Sequence, residues 1–205
     1  MKQIAVLASG RGSNFQAIIE AMTPLKINGK IIMLITDNKD AYAIERAKAV
    51  NIPVTVINFK DYPSRADYEK ELLSTMKNLS ADLFICAGYM KIIGEEIAKT
   101  FFGKLINIHP ALLPSFTGLH AQKQALDYGV KIAGCTVHFV DAGVDTGPII
   151  IQKAVPVFDD DTDDDLDERI LEQEHTAFPE AVKLFCDDRL KIEGRKVRVL
   201  PAQET

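Results

Sequence analysis

Residues 3–14, Q-I-A-V-L-A-S-G-R-G-S-N, join a short apolar run to a turn rich in glycine and serine. Beyond the turn, Ala17, Ile18, Ala21 and Met22 recur at the spacing of a helix. The stretch therefore predicts a β-strand, a tight turn and a helix in that order. Glycines in such a turn let backbone N–H groups face an anion, and the N-terminus of the helix adds a favourable dipole.

The kind of anion is restricted by what this turn lacks. A nucleoside triphosphate loop requires G-x-x-x-x-G-K-S/T, which is absent, and a dinucleotide fingerprint requires a glycine where Phe15 stands. Asp37, which follows the second apolar run, suggests an NAD-dependent oxidoreductase. Phe15 in place of the required glycine disfavours that class of enzyme. We interpret the turn as a cradle for a single phosphate, with Ser13 and Asn14 as side-chain donors. A capped turn without a ligand is the alternative.

Strand-like and helix-like runs alternate along the first half of the chain, without a repeat or a linker. The further predicted strands are 30–36, 54–57, 82–86 and 104–108, and the predicted helices are 41–50, 64–78 and 94–101. Near-continuous apolar strands separated by helices are typical of a parallel sheet covered on both faces. We therefore expect a doubly wound α/β fold with a mostly parallel, Rossmann-like sheet.

The pattern changes in the second half of the chain. Residues 132–140 and 149–157 are longer strand-like runs joined by a loop rich in Gly and Asp, which predicts antiparallel late strands. A C-terminal helix is expected to begin at Thr162, with Asp165 in capping-box position. Pro179 is expected to kink or restart that helix.

Length and composition restrict the class of protein. The chain has 205 residues, of which 47% are hydrophobic and 26% are charged, as in globular proteins. We expect a single domain over 1–205. No apolar run is long enough for a membrane span, and the N-terminus lacks the layout of a signal peptide. A cytoplasmic protein is therefore expected.

The formal charge of −5 is unevenly distributed. Residues 159–168 hold 8 of the 29 acidic groups, and the rest of the chain carries 21 acids against 24 bases. This near balance suits a small anionic substrate, and there is no basic stripe that would follow a polynucleotide backbone. We interpret the acidic run as a solvated loop and a helix N-terminus, with calcium binding or a regulatory tail as the alternative.

No metal site is predicted. The three cysteines, Cys86, Cys135 and Cys186, lie far apart and form no C-x-x-C pair, so we expect three reduced thiols. The loop 141–148 resembles a calcium loop, but Gly143 and Gln152 stand where ligands are required.

Polar residues interrupt the apolar strand at 104–108 and just beyond it. Because side chains alternate along a strand, Asn107 and His109 are expected on one face, with Ile106 and Ile108 on the other. Ligands of doubly wound sheets bind at the carboxyl ends of strands, where this pair would lie. An amide beside an imidazole can clamp an oxyanion, with the imidazole as general acid or base. A structural histidine is the alternative.

A carboxylate is predicted to join this pair. The Gly-rich loop 141–148 carries two carboxylates, Asp141 and Asp145. Such a loop can bring one carboxylate against His109, and that contact would favour the charged form of the imidazole.

The chain resembles the folate-dependent glycinamide ribonucleotide formyltransferases from residue 3 to about 190. The most specific segments are N-I-H-P-A-L-L-P followed by Gly118, H-F-V-D-A-G-V-D-T-G-P-I, and Glu174-His175 before Pro179. Ala111 stands where the family often has serine, with no chemical consequence expected. The resemblance implies the formyltransferase fold and transfer of a formyl group from 10-formyltetrahydrofolate to N1-(5-phospho-D-ribosyl)glycinamide in purine biosynthesis.

The resemblance also implies the roles of individual residues. Asn107, His109 and Asp145 occupy the catalytic positions, with Asp145 keeping His109 protonated and no metal required. Residues implied in acceptor binding are Gly12, Ser13 and Asn14 for the phosphate and Glu174 for the ribose hydroxyls. Residues implied in folate binding are Arg65, Met90, Lys91, Ile92, Ile93, Asn107 and the backbone of 141–145. Those expected near the catalytic residues are Thr136, His138 and His120, whereas His175 is expected to be structural.

These assignments divide the chain into a phosphate-binding half, 1–100, and a catalytic and folate-binding half, 101–190. The expected partners are small molecules, without nucleic acid or membrane, and the expected state is a monomer or homodimer. A formyltetrahydrofolate hydrolase, a methionyl-tRNA formyltransferase and a nucleotide-binding module without chemistry are the alternatives. The first has an additional N-terminal domain and the second a C-terminal barrel, neither of which the chain suggests.

Overall fold

A computed structural model describes residues 1–202, so the last three residues of the predicted domain lie outside the described residues. The strands are β1 Lys2–Leu7, β2 Gly29–Thr36, β3 Val54–Val56, β4 Leu83–Cys86, β5 Leu105–His109, β6 Ile132–Phe139, β7 Ile149–Pro156, β8 Leu190–Glu193 and β9 Lys196–Val199. The helices are α1 Ser13–Ala21, α2 Ala43–Ala49, α3 Arg65–Asn78, α4 Glu95–Thr100, α5 Ala121–Tyr128 and α6 Asp163–Cys186, with a 3₁₀ turn at Phe59–Asp61.

The strands form one sheet in the order β3-β2-β1-β4-β5-β6-β7-β9-β8. Strands β1 to β5 pair in parallel, whereas β6 pairs antiparallel with both β5 and β7. The predicted parallel sheet with antiparallel late strands is confirmed. Because Leu7 aligns with Cys86 and Cys86 with Asn107, the strands β1, β4 and β5 present their carboxyl ends at one edge.

Helices cover both faces of the sheet. On one face, Val6 packs in a core with Phe15 of α1 and Phe178 of α6. On the other face, Leu7 packs in a second core with Met76 of α3 and Ile97 of α4. Consecutive residues of β1 thus enter opposite cores, as the pleat of a strand buried on both sides requires.

The C-terminal helix confirms one prediction and corrects another. Thr162 and Asp165 form the predicted capping box at its start. The helix continues unbroken through Pro179, so the predicted restart is wrong. Phe178 and Val182, which flank the proline, are fully buried, and their packing holds helical backbone on both sides of it.

Helix α5 and the hairpin of β8 and β9 were not predicted from the sequence. The hairpin turns at Gly194, whose φ of 62° lies in the left-handed region. Strand β9 joins the sheet through a parallel pairing of Lys196 with Ile149 of β7. Strands β8 and β9 therefore extend the sheet beyond β7.

Candidate active site

Four polar side chains share one face of the sheet where β5 meets β6. Asn107 lies opposite His138, and His109 lies opposite Thr136. Residues directly opposite in an antiparallel pair point to the same face, so the predicted sharing of a face by Asn107 and His109 is confirmed.

The imidazole of His109 is buried between two hydrogen-bond acceptors. Its Nε2 lies 2.7 Å from the carbonyl oxygen of Phe116, and its Nδ1 lies 3.4 Å from Oδ2 of Asp145. Neither a carbonyl nor a carboxylate can donate, so both ring nitrogens are matched only when both carry a proton. The surroundings therefore complement the imidazolium form.

Asp145 reaches this imidazole from the loop between β6 and β7. Its side chain is 12% exposed, and Oδ2 also accepts a hydrogen bond from the backbone N–H of Gly118 at 2.9 Å. Oδ1 lies 3.7 Å from Nε2 of His138. The backbone of Asp145 has a φ of 55°, which L residues rarely adopt. The predicted approach of a loop carboxylate to His109 is therefore found, and Asp145 makes it.

His138 orients the amide of Asn107. Burial lowers the pKa of His138 from its ordinary value, which favours the neutral ring. Its Nδ1 lies 2.9 Å from the carbonyl oxygen of Phe139 and must donate to it, so Nε2 of the neutral ring is an acceptor. That acceptor faces Nδ2 of Asn107 at 3.4 Å. One amide N–H of Asn107 is thereby directed to His138, and the second stays available for a substrate.

Thr136 holds the loop that follows His109. Its hydroxyl donates to the carbonyl of Ala111 at 2.7 Å and accepts from the backbone N–H of Leu113 at 3.0 Å. Gln152, opposite Thr136 on β7, donates to this hydroxyl at 3.0 Å and to the carbonyl of Leu113 at 2.9 Å. This role of Gln152 was not predicted from the sequence, because it depends on the register of β6 and β7. His120 lies outside this cluster, exposed at the start of α5.

The predicted phosphate cradle is the N-terminus of α1. Gly12 has a φ of 66°, and a Cβ there would lie 2.8 Å from Cβ of Ala43 on α2. Only glycine therefore fits this turn. The backbone N–H of Gln16 bonds to the carbonyl of Gly12, so the N–H groups of the preceding turn, which includes Ser13, have no acceptor within the helix. Such a terminus favours an anion.

Asn14 and Glu174 meet beside the cradle although 160 positions separate them in the chain. Both are buried, and Nδ2 of Asn14 donates to Oε2 of Glu174 at 2.7 Å. Burial raises the pKa of Glu174 to about 7. One amide N–H that was expected to serve the phosphate is thus engaged by the carboxyl group of Glu174.

The segment 90–93 follows β4 at the same edge of the sheet. Nη2 of Arg65 donates to the carbonyl of Ile92 at 3.2 Å. The backbone N–H of Met90 donates to Oγ of Ser9, in the turn after β1, at 2.8 Å. The structure therefore brings Arg65, this segment and the cradle turn together.

Side chains of the same segment divide between the interior and solvent. Lys91 turns toward the buried Asp37, with Nζ 3.8 Å from Oδ2 and 4.6 Å from the centre of the Phe59 ring. Ile93 packs against the core, whereas Met90 and Ile92 are 64% and 58% exposed. Exposed apolar side chains beside a polar cluster are typical of a surface that a ligand covers.

The thiols of the described residues are buried and unreactive. Burial raises the pKa of Cys86, Cys135 and Cys186 to about 12 in each case, so these thiols are protonated at neutral pH. Among residues 1–202, no group of three or more His, Cys, Asp or Glu residues is placed to hold a metal ion. Within the same range, no helix is long and apolar enough to cross a membrane.

Known proteins resemble the chain along almost its whole length. The model of the formyl transferase family matches residues 2–182. The phosphoribosylglycinamide formyltransferase of Bacillus subtilis is 42% identical over 183 residues, which cover 89% of this chain and 94% of that protein. The trifunctional purine biosynthetic protein adenosine-3 of Drosophila melanogaster is 45% identical over 91% of this chain, which spans 14% of that protein's length.

A solved structure agrees with the fold described above. The glycinamide ribonucleotide transformylase 1 of Symbiobacterium toebii superposes with a TM-score of 0.94 at 47% identity, covering 98% of this chain and 95% of that one. Sequence and structure therefore agree, and the chain belongs to the formyl transferase family.

Proposed function

We propose that the chain transfers the formyl group of 10-formyltetrahydrofolate to the amine of N1-(5-phospho-D-ribosyl)glycinamide in purine biosynthesis. The observation that carries this proposal is the buried imidazole of His109, held between Phe116 and Asp145 beside the amide of Asn107. The anion-binding terminus of α1 follows β1, two strands away from β5 in the sheet. Two strand spacings are about 10 Å, which suits an acceptor with a phosphate at one end and an amine at the other.

The acceptor is held at α1. The backbone N–H groups at Gly12, Ser13 and Asn14 bind the phosphate, because the helix N-terminus offers unpaired donors and a positive dipole end. Glu174, whose pKa burial raises to about 7, contacts the ribose hydroxyls, where its carboxyl group can accept hydrogen bonds and, when protonated, donate one. Asn14 fixes the orientation of that carboxyl group.

The folate lies across the carboxyl edge of β4 and β5. Arg65 and the segment Met90, Lys91, Ile92 and Ile93 form one wall, and the backbone of 141–145 forms another. Met90, Ile92 and Val144 expose apolar surface that an aromatic ring system can cover. Lys91 lines the folate pocket with its backbone, while its side chain contacts Asp37. Asn107 contributes the amide N–H that His138 does not engage.

The reaction is addition of the amine to the formyl carbon, followed by departure of the folate nitrogen. A C–N bond forms and negative charge develops on the formyl oxygen, which Asn107 and the imidazolium of His109 stabilise. One such donor is worth about 3 kcal/mol of transition-state stabilisation. Nδ1 of His109 is 3.4 Å from Asp145, a longer contact than the one at Nε2, so we assign Nδ1 as the nitrogen that donates to the oxyanion.

The second half of the reaction breaks the C–N bond to the folate. The attacking nitrogen loses a proton and the leaving nitrogen gains one, so the proton balance closes without a metal or a covalent enzyme intermediate. We propose water as the carrier of that proton. Asp145 offsets the positive charge of His109 throughout.

We also propose that the chain forms one domain, with a phosphate-binding half at 1–100 and a catalytic and folate-binding half at 101–190. The folate pocket draws on both halves, because Arg65 and the segment 90–93 lie in the first. We further propose that the protein is a monomer or homodimer that binds small molecules and no nucleic acid. We propose a cytoplasmic location, which the three free, buried cysteines support, because reduced thiols are typical of that compartment.

The test is an assay with three competing acceptors. The protein is incubated with 10-formyltetrahydrofolate and either glycinamide ribonucleotide, initiator methionyl-tRNA or water alone. The proposal predicts formylation of glycinamide ribonucleotide, with loss of that activity in His109→Ala. Release of formate at the same rate with and without the acceptor would instead identify a hydrolase, and formylation of the tRNA alone would identify a tRNA formyltransferase.

A further inference from the structure

Asp145 depends on its neighbours for its conformation. Its φ of 55° places a non-glycine residue in the left-handed region. This conformation is uncommon even for aspartate, so contacts from neighbouring residues help to hold it. The carboxylate must nevertheless stay within reach of His109 and of the Gly118 N–H.

Thr146, the next residue, is held from two sides. Its hydroxyl donates to Oδ1 of Asp141 at 2.6 Å, and the same oxygen accepts from the backbone N–H of Gly143 at 3.1 Å. Its carbonyl oxygen accepts a hydrogen bond from Nη1 of Arg195. Thr146 is therefore tied within the loop through its side chain and to another element through its backbone.

Arg195 belongs to the hairpin of β8 and β9, directly after the turn at Gly194. Its neighbour Lys196 pairs with Ile149 of β7, at the end of the same loop. Arg189 and Leu200 close the base of the hairpin. The backbone N–H of Leu200 donates to the carbonyl of Arg189 at 2.8 Å, and Nε of Arg189 donates to the carbonyl of Leu200 at 2.7 Å. Because the neighbouring Lys196 is paired with β7, the hairpin places the guanidinium of Arg195 beside the loop that connects β6 and β7.

We propose that Arg195 is a positioning residue for formyl transfer: by holding the carbonyl of Thr146, it keeps Asp145 in the conformation that faces His109. The expected effect on the rate of formyl transfer rests on the proposed function, whereas the positioning of Asp145 by Arg195 does not. A guanidinium suits this task because it is always charged and donates in a fixed geometry. Hydrogen bonds from charged donors are also stronger than those between neutral groups.

The experiment compares Arg195→Ala and Arg195→Lys with Arg198→Ala. Arg198 lies on the same hairpin and pairs with Glu193, away from the loop, so its variant is the matched control. Formyl transfer is measured under saturating and limiting acceptor, and the titration of His109 is followed by NMR. Folding of each variant is verified by its thermal transition.

We expect Arg195→Ala to lower kcat roughly tenfold, with the KM for the acceptor changed less than twofold, because misplacement affects the transition state most. The titration of His109 should move to lower pH in the same variant. Arg195→Lys keeps a donor and should recover most of the rate, and Arg198→Ala should match the wild type.

Two results would overturn the proposal. One is an Arg195→Ala protein with the wild-type titration of His109, whatever its rate. The other is equal loss of rate in Arg195→Ala and Arg198→Ala, which would indicate a general effect of the hairpin. If the wild type itself transfers no formyl group but Arg195→Ala still shifts the titration of His109, the positioning role stands and the proposed function fails.

Discussion

Nδ2 of Asn14 donates to Oε2 of Glu174 at 2.7 Å, and this bond joins the first turn of α1 to the middle of α6. The carboxyl group is almost fully buried, and burial raises its pKa from 4.5 to about 7. The protein therefore holds, beside the phosphate cradle, an acid that changes its charge near neutral pH. Ionisation of this buried carboxyl group lowers the stability of the fold. The Asn14–Glu174 pair can therefore be studied through the pH dependence of unfolding, without substrate.

Glu174→Gln should make the stability of the protein less dependent on pH. An acid whose pKa is raised on folding contributes stability that is present below about pH 4.5 and lost as the pH rises through about 7. As the pH rises through this range, we expect the free energy of unfolding of the variant to increase relative to that of the wild type, by up to about 3 kcal/mol. Urea unfolding at several pH values measures the difference.

The matched control for this pair is Glu172→Gln, which removes an exposed carboxylate from the same helix. Its difference from the wild type should stay nearly constant with pH. A constant difference for Glu174→Gln as well would show that Glu174 ionises as readily in the folded chain as in the unfolded one.

Gly12→Ala should destabilise the fold, whereas Gly10→Ala should not. A Cβ at Gly12 meets Cβ of Ala43 at 2.8 Å and requires a left-handed backbone, whereas a Cβ at Gly10 meets nothing within 4 Å. Strain and overpacking together predict a loss of about 2 kcal/mol or more for Gly12→Ala. Chemical denaturation of both variants is the measurement, and equal stabilities would contradict the geometry of the turn.

Asn107 and His109 should act on the same oxygen atom. Asn107→Ala is expected to lower kcat by about 10²–10³-fold, and His109→Ala by at least as much. Because both stabilise one developing charge, the double variant should lose less than the product of the two single losses. Steady-state kinetics of the four proteins provide the comparison, and fully additive losses would assign the residues to separate steps.

His138→Phe should reproduce part of the loss in Asn107→Ala. The phenyl ring fills the buried site but cannot accept the hydrogen bond that Nε2 of His138 takes from the amide at 3.4 Å. We expect His138→Phe to lower kcat roughly tenfold in the wild type. The same substitution in the Asn107→Ala variant should lower kcat little further. Independent losses in the two backgrounds would show that His138 does not act through Asn107.

Local patterns predict much of this molecule. The pleat alone places Asn107 and His109 on one face, and the strand–turn–helix at 3–14 follows from its apolar spacing and glycines. The capping box of Thr162 and Asp165 is likewise a short-range signal. These features depend on contacts between residues close in sequence, which periodicity and cap chemistry describe.

Features that depend on tertiary register were not predicted. The role of His138 follows from its position opposite Asn107, which the chain alone does not fix. The hairpin of β8 and β9 was not predicted either, although Leu190, Ile192, Val197 and Val199 alternate with polar residues on the two sides of Gly194, which is a local hairpin signal. Of the kink or restart predicted at Pro179, the restart did not occur, because packing against the core outweighs the lost hydrogen bond.

The most direct test of the account is the pH dependence of kcat for formyl transfer to glycinamide ribonucleotide in the wild type and in Asp145→Asn. Asparagine tolerates the left-handed backbone at this position, so the loop keeps its shape while the charge is removed. An ordinary imidazole with a pKa of about 6.5 is only about one-tenth charged at pH 7.5. If Asp145 keeps His109 protonated, the variant loses at least about tenfold in kcat at that pH and recovers part of the loss toward about pH 6. A variant whose kcat follows the same pH profile as the wild type, at whatever level, would contradict the account.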